Sequence, residues 1–358
     1  MRPSPPARRA RRQGLPVARE TEKDLLGKSG RRQALTESTR ARPAAAIMAA
    51  LAASTLLAVL AGSPRAQAGQ CRVAKAAEMP MTYWHNRIFV PVSVNETPGT
   101  FLLDTGAFNS TVNTEFASRA NVVWDRFQPQ LTLEGVGGKQ TRTVRAGRLR
   151  MLEFGGLKIP DREMPIAEVD MQQPNGAPVD GILGAELLSV LDLEIDFRSS
   201  KVTLWRLYGC ADIAPVGWTG DYASIPLHRT TEKQVTIPIW LDGALVQSVL
   251  DTGAGGLVLD RKSALAAGAT EAELAQDPAG AALGMGGRVT GRRHHFKLLL
   301  IGKDVYHDVT GFVTDTKSME GKAPVLVGMS ALRNHRAWFS YGTETLFLQS
   351  LSPAAKQD

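Results

Sequence analysis

A chain of 358 residues, 43% of them hydrophobic, is long enough for one large or two medium domains, each with its own buried core. Its formal charge of +7 is concentrated at one end: residues 1–68 hold 13 Lys+Arg against 4 Asp+Glu, a net +9, and the remainder holds 29 against 31, a net −2. The part expected to fold therefore carries no basic excess, which excludes nucleic-acid binding as its expected function.

Residues 1–68 read as a leader with a signal peptide. Arg-rich sequence runs to Pro43, an uncharged and mostly apolar stretch follows from Ala44 to Ala61, and Ala66-Gln67-Ala68 offers a small-x-small cleavage site. Cleavage after Ala68 is expected, which makes the mature protein exported, periplasmic or secreted. An uncleaved N-terminal anchor is the alternative, because the apolar run is near the lower limit for spanning a bilayer. The long basic region leaves two further readings open, a start downstream of Met1 or a loose twin-arginine signal at "GRRQAL". Cys71 follows "AGQ", which lacks the small residue that a lipoprotein cleavage site places before its Cys. Residues 69–83 form a short mature N-terminal segment that could cover a cleft. Cys71 and Cys210 permit one disulfide in an exported chain, and two cysteines alone cannot complete a four-ligand zinc site.

Beyond residue 83 the chain repeats itself. "IFVPVSVNETPGTFLLDTGA", "LEGVGGKQTRTV" and "VDGILGAELLSVLDLEIDFRSSKVTLW" are followed, in the same order, by "VTIPIWLDGALVQSVLDTGA", "LGMGGRVTGRR" and "PVLVGMSALRNHRAWFSYGTETLFL". Asp104 and Asp251 are 147 residues apart, Gly135 and Gly284 149, and Gly184 and Gly328 144. A period this long marks duplicated lobes and not a short-repeat solenoid. The boundaries drawn from it are a first lobe at 84–208, a connector at 209–228, a second lobe at 229–351 and a tail at 352–358.

Each copy is mostly strand. "IFVPVSV" and "VTIPIWL" alternate or run apolar, with Asn95-Glu96 and Asp242-Gly243 at the turns that follow. "TFLLD" and "QSVLD" read as short buried strands that stop at the acid, and "RAGRLRMLEFGGLKIP" and "RRHHFKLLLIGKDVYHDV" as hairpins with Gly at the turn. Helix is expected only in "GAELLSVL" and "GMSALRN", with a turn or two in "NTEFASRA" and "TEAELAQ". The alternating acids Asp192, Glu194 and Asp196 read as the solvated face of a strand, and Asp180 as a turn acid. Trp205, Trp218, Trp240 and Trp338 read as core or lobe-interface aromatics. His294, His295 and His307 lack metal-ligand spacing and read as surface or hairpin residues. The fold class is all-β, in two lobes.

A carboxylate at the end of a buried strand is costly unless paired. Asp104-Thr105-Gly106 and Asp251-Thr252-Gly253 place one at the same point of each repeat, with a Gly for the tight turn and a Thr hydroxyl able to bond a facing loop. If the lobes pack about a pseudo-twofold axis, the two acids meet, cannot both ionise easily, and hold one proton as a unit. That is a general acid beside a general base.

The ordered combination of Asp-Thr-Gly-Ala, a Gly-rich "GVGG" or "GMGG", and the apolar-apolar-Gly of "GILG" or "VLVG" resembles a retropepsin-type aspartic protease lobe. Two such lobes in one chain, across roughly residues 84–351, are similar to the bilobal pepsin arrangement. The resemblance implies an all-β, pepsin-like acid protease fold built of two retropepsin-like lobes around a pseudo-twofold axis. It makes Asp104 and Asp251 the catalytic pair, supported by Thr105, Gly106, Thr252 and Gly253. It makes Gly135, Val136, Gly137 and Gly138, with Gly284, Met285, Gly286 and Gly287, the flap tips over an extended peptide. Ala107 and Ala254 stand where pepsins carry Ser or Thr, Phe108 is answered by Gly255-Gly256, and neither flap has the Tyr of a pepsin flap. Without a hydroxyl donor the pair is expected to keep its proton to higher pH, with an optimum between mildly acidic and neutral.

The function expected is an exported aspartic endopeptidase that hydrolyses an extended polypeptide with a water activated between the two acids. The alternative is a catalytically silent periplasmic peptide-binding module on the same fold. Neither calls for a cofactor or a metal. The expected partner is a peptide or protein substrate, with no nucleic acid, no stable membrane insertion unless the leader is uncleaved, and a monomer as the simpler state.

Overall fold

The computed structural model describes residues 71–124, 131–133, 142–284, 287–314 and 324–351. Residues 1–70, 125–130, 134–141, 285–286, 315–323 and 352–358 lie outside them. The first repeat begins with β1 (Arg72–Pro80), β2 (Thr82–Trp84), β3 (Arg87–Val94), β4 (Thr97–Leu103) and β5 (Thr111–Asn113). A short helix, α1 (Thr114–Arg119), leads to β6 (Val123–Trp124), β7 (Leu131–Leu133), β8 (Arg142–Phe154) and β9 (Leu157–Ala167). β10 (Gly181–Leu183), α2 (Ala185–Leu188), β11 (Asp192–Asp196) and β12 (Lys201–Tyr208) complete it. The second repeat runs β13 (Ala223–Pro226), β14 (His228–Arg229), β15 (Val235–Leu241), β16 (Ala244–Leu250) and β17 (Leu257–Asp260). Then come α3 (Arg261–Ala266), α4 (Glu271–Gln276), β18 (Ala279–Gly284), β19 (Gly287–Ile301) and β20 (Asp304–Thr314). β21 (Val325–Val327), α5 (Met329–Leu332), β22 (His335–Ser340) and β23 (Thr345–Ser350) end it.

The repeat in sequence is a repeat in topology. In the first lobe the sheet order is β2-β3-β4-β10-β5-β9-β8-β6, and pairing of β3 with β8 closes six of these strands into a barrel. The second lobe is ordered β14-β15-β16-β21-β17-β20-β19-β18 and closes through β15 and β19. A third sheet, β1-β12-β11-β22-β23-β13, takes three strands from each repeat. Its centre is the antiparallel pair β11–β22, with Glu194 opposite Trp338, and its order is the same read from either edge with the repeats exchanged. That arrangement is a pseudo-twofold axis expressed in hydrogen bonds. The all-β class and the two retropepsin-like lobes are thus present in the architecture.

Local chemistry accounts for the strand ends. The β3–β4 and β15–β16 hairpins turn on Asn95 and Glu96 (φ 51° and 71°) and on Asp242 and Gly243 (φ 46° and 87°), left-handed pairs whose twist suits a two-residue hairpin. The long hairpins β8–β9 and β19–β20 turn on Gly155-Gly156 and on Gly302, as their glycines predict. Side-chain oxygens of Asn113, Asp260 and Thr270 cap α1, α3 and α4, the last in a capping box with Glu273. α3 has no counterpart among the helices expected from sequence; it follows β17 directly, with Asp260 both the last strand residue and the helix cap.

Alternation on β15 buries Val235, Ile237, Ile239 and Leu241, and the apolar side chains of both barrels join one core that includes Leu103, Leu193, Leu250 and Phe339. Each fully buried side chain of this kind contributes about 1.5–3 kcal/mol. The lobes are therefore held by shared apolar burial as well as by the third sheet.

Several expectations need correction. Asp192 and Glu194 are not on a solvated face: they are 3% and 2% exposed. Glu194 accepts from Trp205 Nε1 (2.8 Å), Trp218 Nε1 (2.8 Å) and Arg336 Nε (2.7 Å), and Asp192 accepts from Trp338 Nε1 (3.0 Å) and the Gly342 amide (3.2 Å). Donors supplied by β12, β22, the segment before β13 and the turn after β22 make burial tolerable. Asp180 is buried as well, taking the Thr100 amide at 2.8 Å and the Arg119 guanidinium. Trp240 is not a core aromatic: it stands 48% exposed on the outer face of β15. The segment 209–228 is not only a connector, since β13 pairs with β23. Residues 72–80 do not lie over the cleft, because β1 spends its backbone on β12 from Arg72–Tyr208 to Pro80–Lys201. Cys71 and Cys210 are joined at the start of that ladder, with Cα atoms 4.5 Å apart.

Candidate active site

Asp104 and Asp251 each stand one residue beyond a buried strand, β4 or β16. Each strand runs parallel to the apolar strand ending before Gly184 or Gly328, and the acid's own amide continues the ladder, Asp104 N to Leu183 O and Asp251 N to Val327 O, both 2.9 Å. Beyond the acid the chain doubles back. The Ala107 and Ala254 carbonyls accept from Ala185 N (2.8 Å) and Met329 N (2.9 Å), so the apolar-Gly strand threads beneath each loop. In the first lobe Ser110 adds its hydroxyl to Gly184 N at 2.8 Å, and Glu186 takes the Ser110 amide at 2.8 Å.

The two loops are locked to each other by four reciprocal bonds. Thr105 Oγ1 donates to Leu250 O (2.7 Å) and accepts from Thr252 N (3.1 Å); Thr252 Oγ1 donates to Leu103 O (2.7 Å) and accepts from Thr105 N (3.0 Å). Both hydroxyls are buried and use donor and acceptor capacity together, which no apolar residue of similar volume can do. Gly106 and Gly253 are required for a different reason. A Cβ on Gly106 would overlap the Asp251 carboxylate, and a Cβ on Gly253 would overlap that of Asp104. Each glycine is the floor on which the opposite acid rests.

Asp104 is 8% exposed and Asp251 9%. Each points one carboxylate oxygen at two backbone amides: Asp104 Oδ1 at Gly106 N and Ala107 N (both 2.9 Å), Asp251 Oδ1 at Gly253 N (2.8 Å) and Ala254 N (3.1 Å). The carboxyls are close enough to hydrogen-bond to each other. Burial, and after it the Asp251 charge, pushes Asp104 well above the ordinary carboxylate range. Burial also raises Asp251, opposed by its bond with Asp104, the two amides and the charge of Arg87. The pair is built to hold a proton where isolated carboxylates have lost theirs.

Thr105, Gly106, Thr252 and Gly253 thus stand with Asp104 and Asp251 in one constellation. Gly135, Val136, Gly137 and Gly138 lie outside the described residues. In the second lobe Gly284 pairs with Gly287 at the end of the β18–β19 hairpin, and Met285 and Gly286, between them, are also outside the described residues. Cys71 and Cys210 are in the third sheet and take no part in the site. His294 pairs with Asp277 at 2.7 Å at the base of the β18–β19 hairpin, while His295 and His307 are exposed on the β19–β20 hairpin.

Sequence reasoning missed two neighbours of the site. Gln234 Nε2 donates to the Gly106 carbonyl, and the Arg87 charge reaches Asp251. Arg87 and Gln234 are equivalent under the 147-residue offset of the repeat, but every position of the lobes has such an equivalent, so the spacing alone does not single them out.

Fold and site together define a bilobal all-β protein in which each retropepsin-like lobe brings one aspartate to a common centre. Two segments of the chain match family models of this class: residues 90–187 match the aspartyl protease model, and residues 237–334 match the gag-polyprotein putative aspartyl protease model. Both ends of the matched segments are offset by 147 residues, again the spacing of Asp104 and Asp251. No curated protein matches the chain. The chain carries two aspartyl protease domains of retropepsin-like type in one polypeptide.

Proposed function

We propose that this protein is an exported aspartic endopeptidase with Asp104 and Asp251 as its catalytic pair. The observation that carries the proposal is the mutual seating of the two carboxylates, each on the other lobe's glycine and held by the reciprocal threonine bonds. In this reading the ionised member of the pair takes a proton from water as its oxygen attacks the peptide carbonyl. The protonated member gives its proton to the carbonyl oxygen, and collapse of the tetrahedral intermediate delivers a proton to the leaving nitrogen. Because one chain supplies both acids, a monomer suffices. The small-x-small site at Ala66-Gln67-Ala68 and the Cys71–Cys210 bridge support export to an oxidising compartment. No helix among the described residues is long and apolar enough to cross a membrane.

The test is cleavage of a peptide library across a pH series by protein starting at Gly69, beside Asp104→Asn and Asp251→Asn. Loss of cleavage in both variants is expected, by about 10³-fold or more where general acid–base roles are removed. Cleavage surviving either substitution rules out the shared pair. Peptide binding without cleavage at any pH makes the silent binding module the correct account.

A further inference from the structure

The two hairpins that precede the lobes' first long strands cross over to the opposite active-site loop, and they do so with different chemistry. In the second lobe Gln234, 4% exposed, spends its amide on the Gly106 carbonyl. In the first lobe the turn between β2 and β3 is formed by His85 and Asn86 (φ 48° and 56°), with Tyr83 OH donating to Asn86 Oδ1 at 2.6 Å. That turn lies against the loop after Asp251, since a side chain built on Gly255 would meet Asn86 Cβ at 3.6 Å. The residue equivalent to Gln234 there is Arg87.

Arg87 is half-buried, and its guanidinium is poorly satisfied. Its Nε is buried with no hydrogen-bond partner, and its one contact of this kind among the described residues is from Nη1 to the His85 carbonyl at 3.5 Å, the outer limit for such a bond. No ion pair joins it to a carboxylate among the described residues, although its charge is felt at Asp251. Gly255 and Gly256, which follow the second active-site loop, offer no acid. A partly buried cation with no carboxylate partner among the described residues is costly to hold, and Gln234 shows that an uncharged side chain serves the same position in this fold. Arg presents a planar fork that takes a carboxylate through two parallel bonds.

We propose that Arg87 is a specificity-determining residue that binds a carboxylate of the substrate beside Asp251. The proposal rests on the peptidase reading and makes the cleft selective for Asp or Glu at one fixed position on the second-lobe side of the cut bond. The absence of a cation at Gln234 leaves the first-lobe side without such a preference.

The test uses pairs of peptides that differ only as Glu against Gln, or Asp against Asn, at each position around the cleaved bond. Wild-type protein is expected to favour the acid at one position by about tenfold or more in kcat/KM, the scale of hydrogen bonds to a charged partner. Arg87→Gln, which copies the second lobe's residue, is expected to bring that ratio to about one, and Arg87→Glu to reverse it in favour of the uncharged amide. Because each ratio is taken within one protein, a general loss of activity cancels. Should a variant cut too slowly, binding of the same peptide pairs to Asp104→Asn with and without Arg87→Gln reads the preference directly. Cleavage by the wild type with no acid preference at any position overturns the proposal while leaving the peptidase reading intact. A preference that survives Arg87→Gln overturns it too. Absence of cleavage and of acid-selective binding by wild type counts against both.

Discussion

At the scale of single residues, the burial of Asp104 and Asp251 has consequences for pH that can be given a sign. A carboxyl whose folded-state pKa is raised binds its proton more tightly in the native than in the unfolded chain, so stability falls as pH rises from the ordinary carboxylate value toward the raised one. Asp104→Asn keeps the shape without the charge. It is expected to be more stable than wild type in urea at pH 7 and equal to it at pH 3, each unit of displacement being worth about 1.4 kcal/mol. Equal stability at pH 7 would show that Asp104 ionises there at no cost. Catalysis moves with the same displacement, and the pH–rate profile is expected to peak between mildly acidic and neutral. Ala107→Ser, which adds a hydroxyl donor to the carboxylate, is expected to shift the alkaline limb toward acid. Gly106→Ala places a methyl group inside the Asp251 carboxylate and is expected to abolish cleavage, whereas an exposed glycine such as Gly243 has no such neighbour.

Between residue and molecule stand the elements that hold the pair in place. Thr252→Val removes the hydroxyl that bonds Leu103 O and Thr105 N, leaving two buried backbone groups unsatisfied at about 1–3 kcal/mol each. Thr252→Ser keeps both bonds and is expected to recover most of the loss; the two unfolding midpoints, compared directly, separate the hydroxyl from the methyl group. On β11, Glu194→Ala removes the acceptor shared by Trp205, Trp218 and Arg336, leaves Arg336 only its longer ion pair to Asp196 at 3.6 Å, and is expected to cost about 3 kcal/mol. This second network was not legible. The alternation of Asp192, Glu194 and Asp196 marks a strand correctly, but the donors that bury two of the acids come from β12, β22 and the segment before β13. The threonine lock was legible in outline, because the same triplet stands at the same point of both repeats.

For the molecule as a whole, the third sheet and the disulfide decide how the repeats are joined. Cys71 and Cys210 close 139 residues of chain and fasten β1 to the end of β12. The Cys71→Ser/Cys210→Ser double variant is expected to lose about 2–4 kcal/mol, read as a lower urea midpoint with little change in slope. Peptide cleavage at temperatures well below the new midpoint is the companion measurement, because the acids are held by the loops and not by β1. The segment 209–228 carries too little pattern to announce β13, whose partner β23 lies more than a hundred residues further on. Trp240 was misplaced although the alternation of β15 marks it: it shares a face with Thr236 and Pro238, opposite the buried Val235, Ile237, Ile239 and Leu241.

The sequence by itself determined that the chain is duplicated, that each half is built of strands, and that Asp104 and Asp251 occupy equivalent ends of buried strands. Those conclusions need only spacing, alternation and the cost of an unpaired buried acid, all of which are local or periodic. Tertiary structure decided everything that depends on a partner distant in the chain. It seated each carboxylate on the opposite glycine, supplied Trp and Arg donors to acids that look solvated, turned a connector and an N-terminal segment into sheet edges, and laid the turn before Arg87 against the loop after Asp251. Contacts across 147 residues are set by the packing of two barrels about their shared axis, and no local pattern records which side chains that packing will bring together.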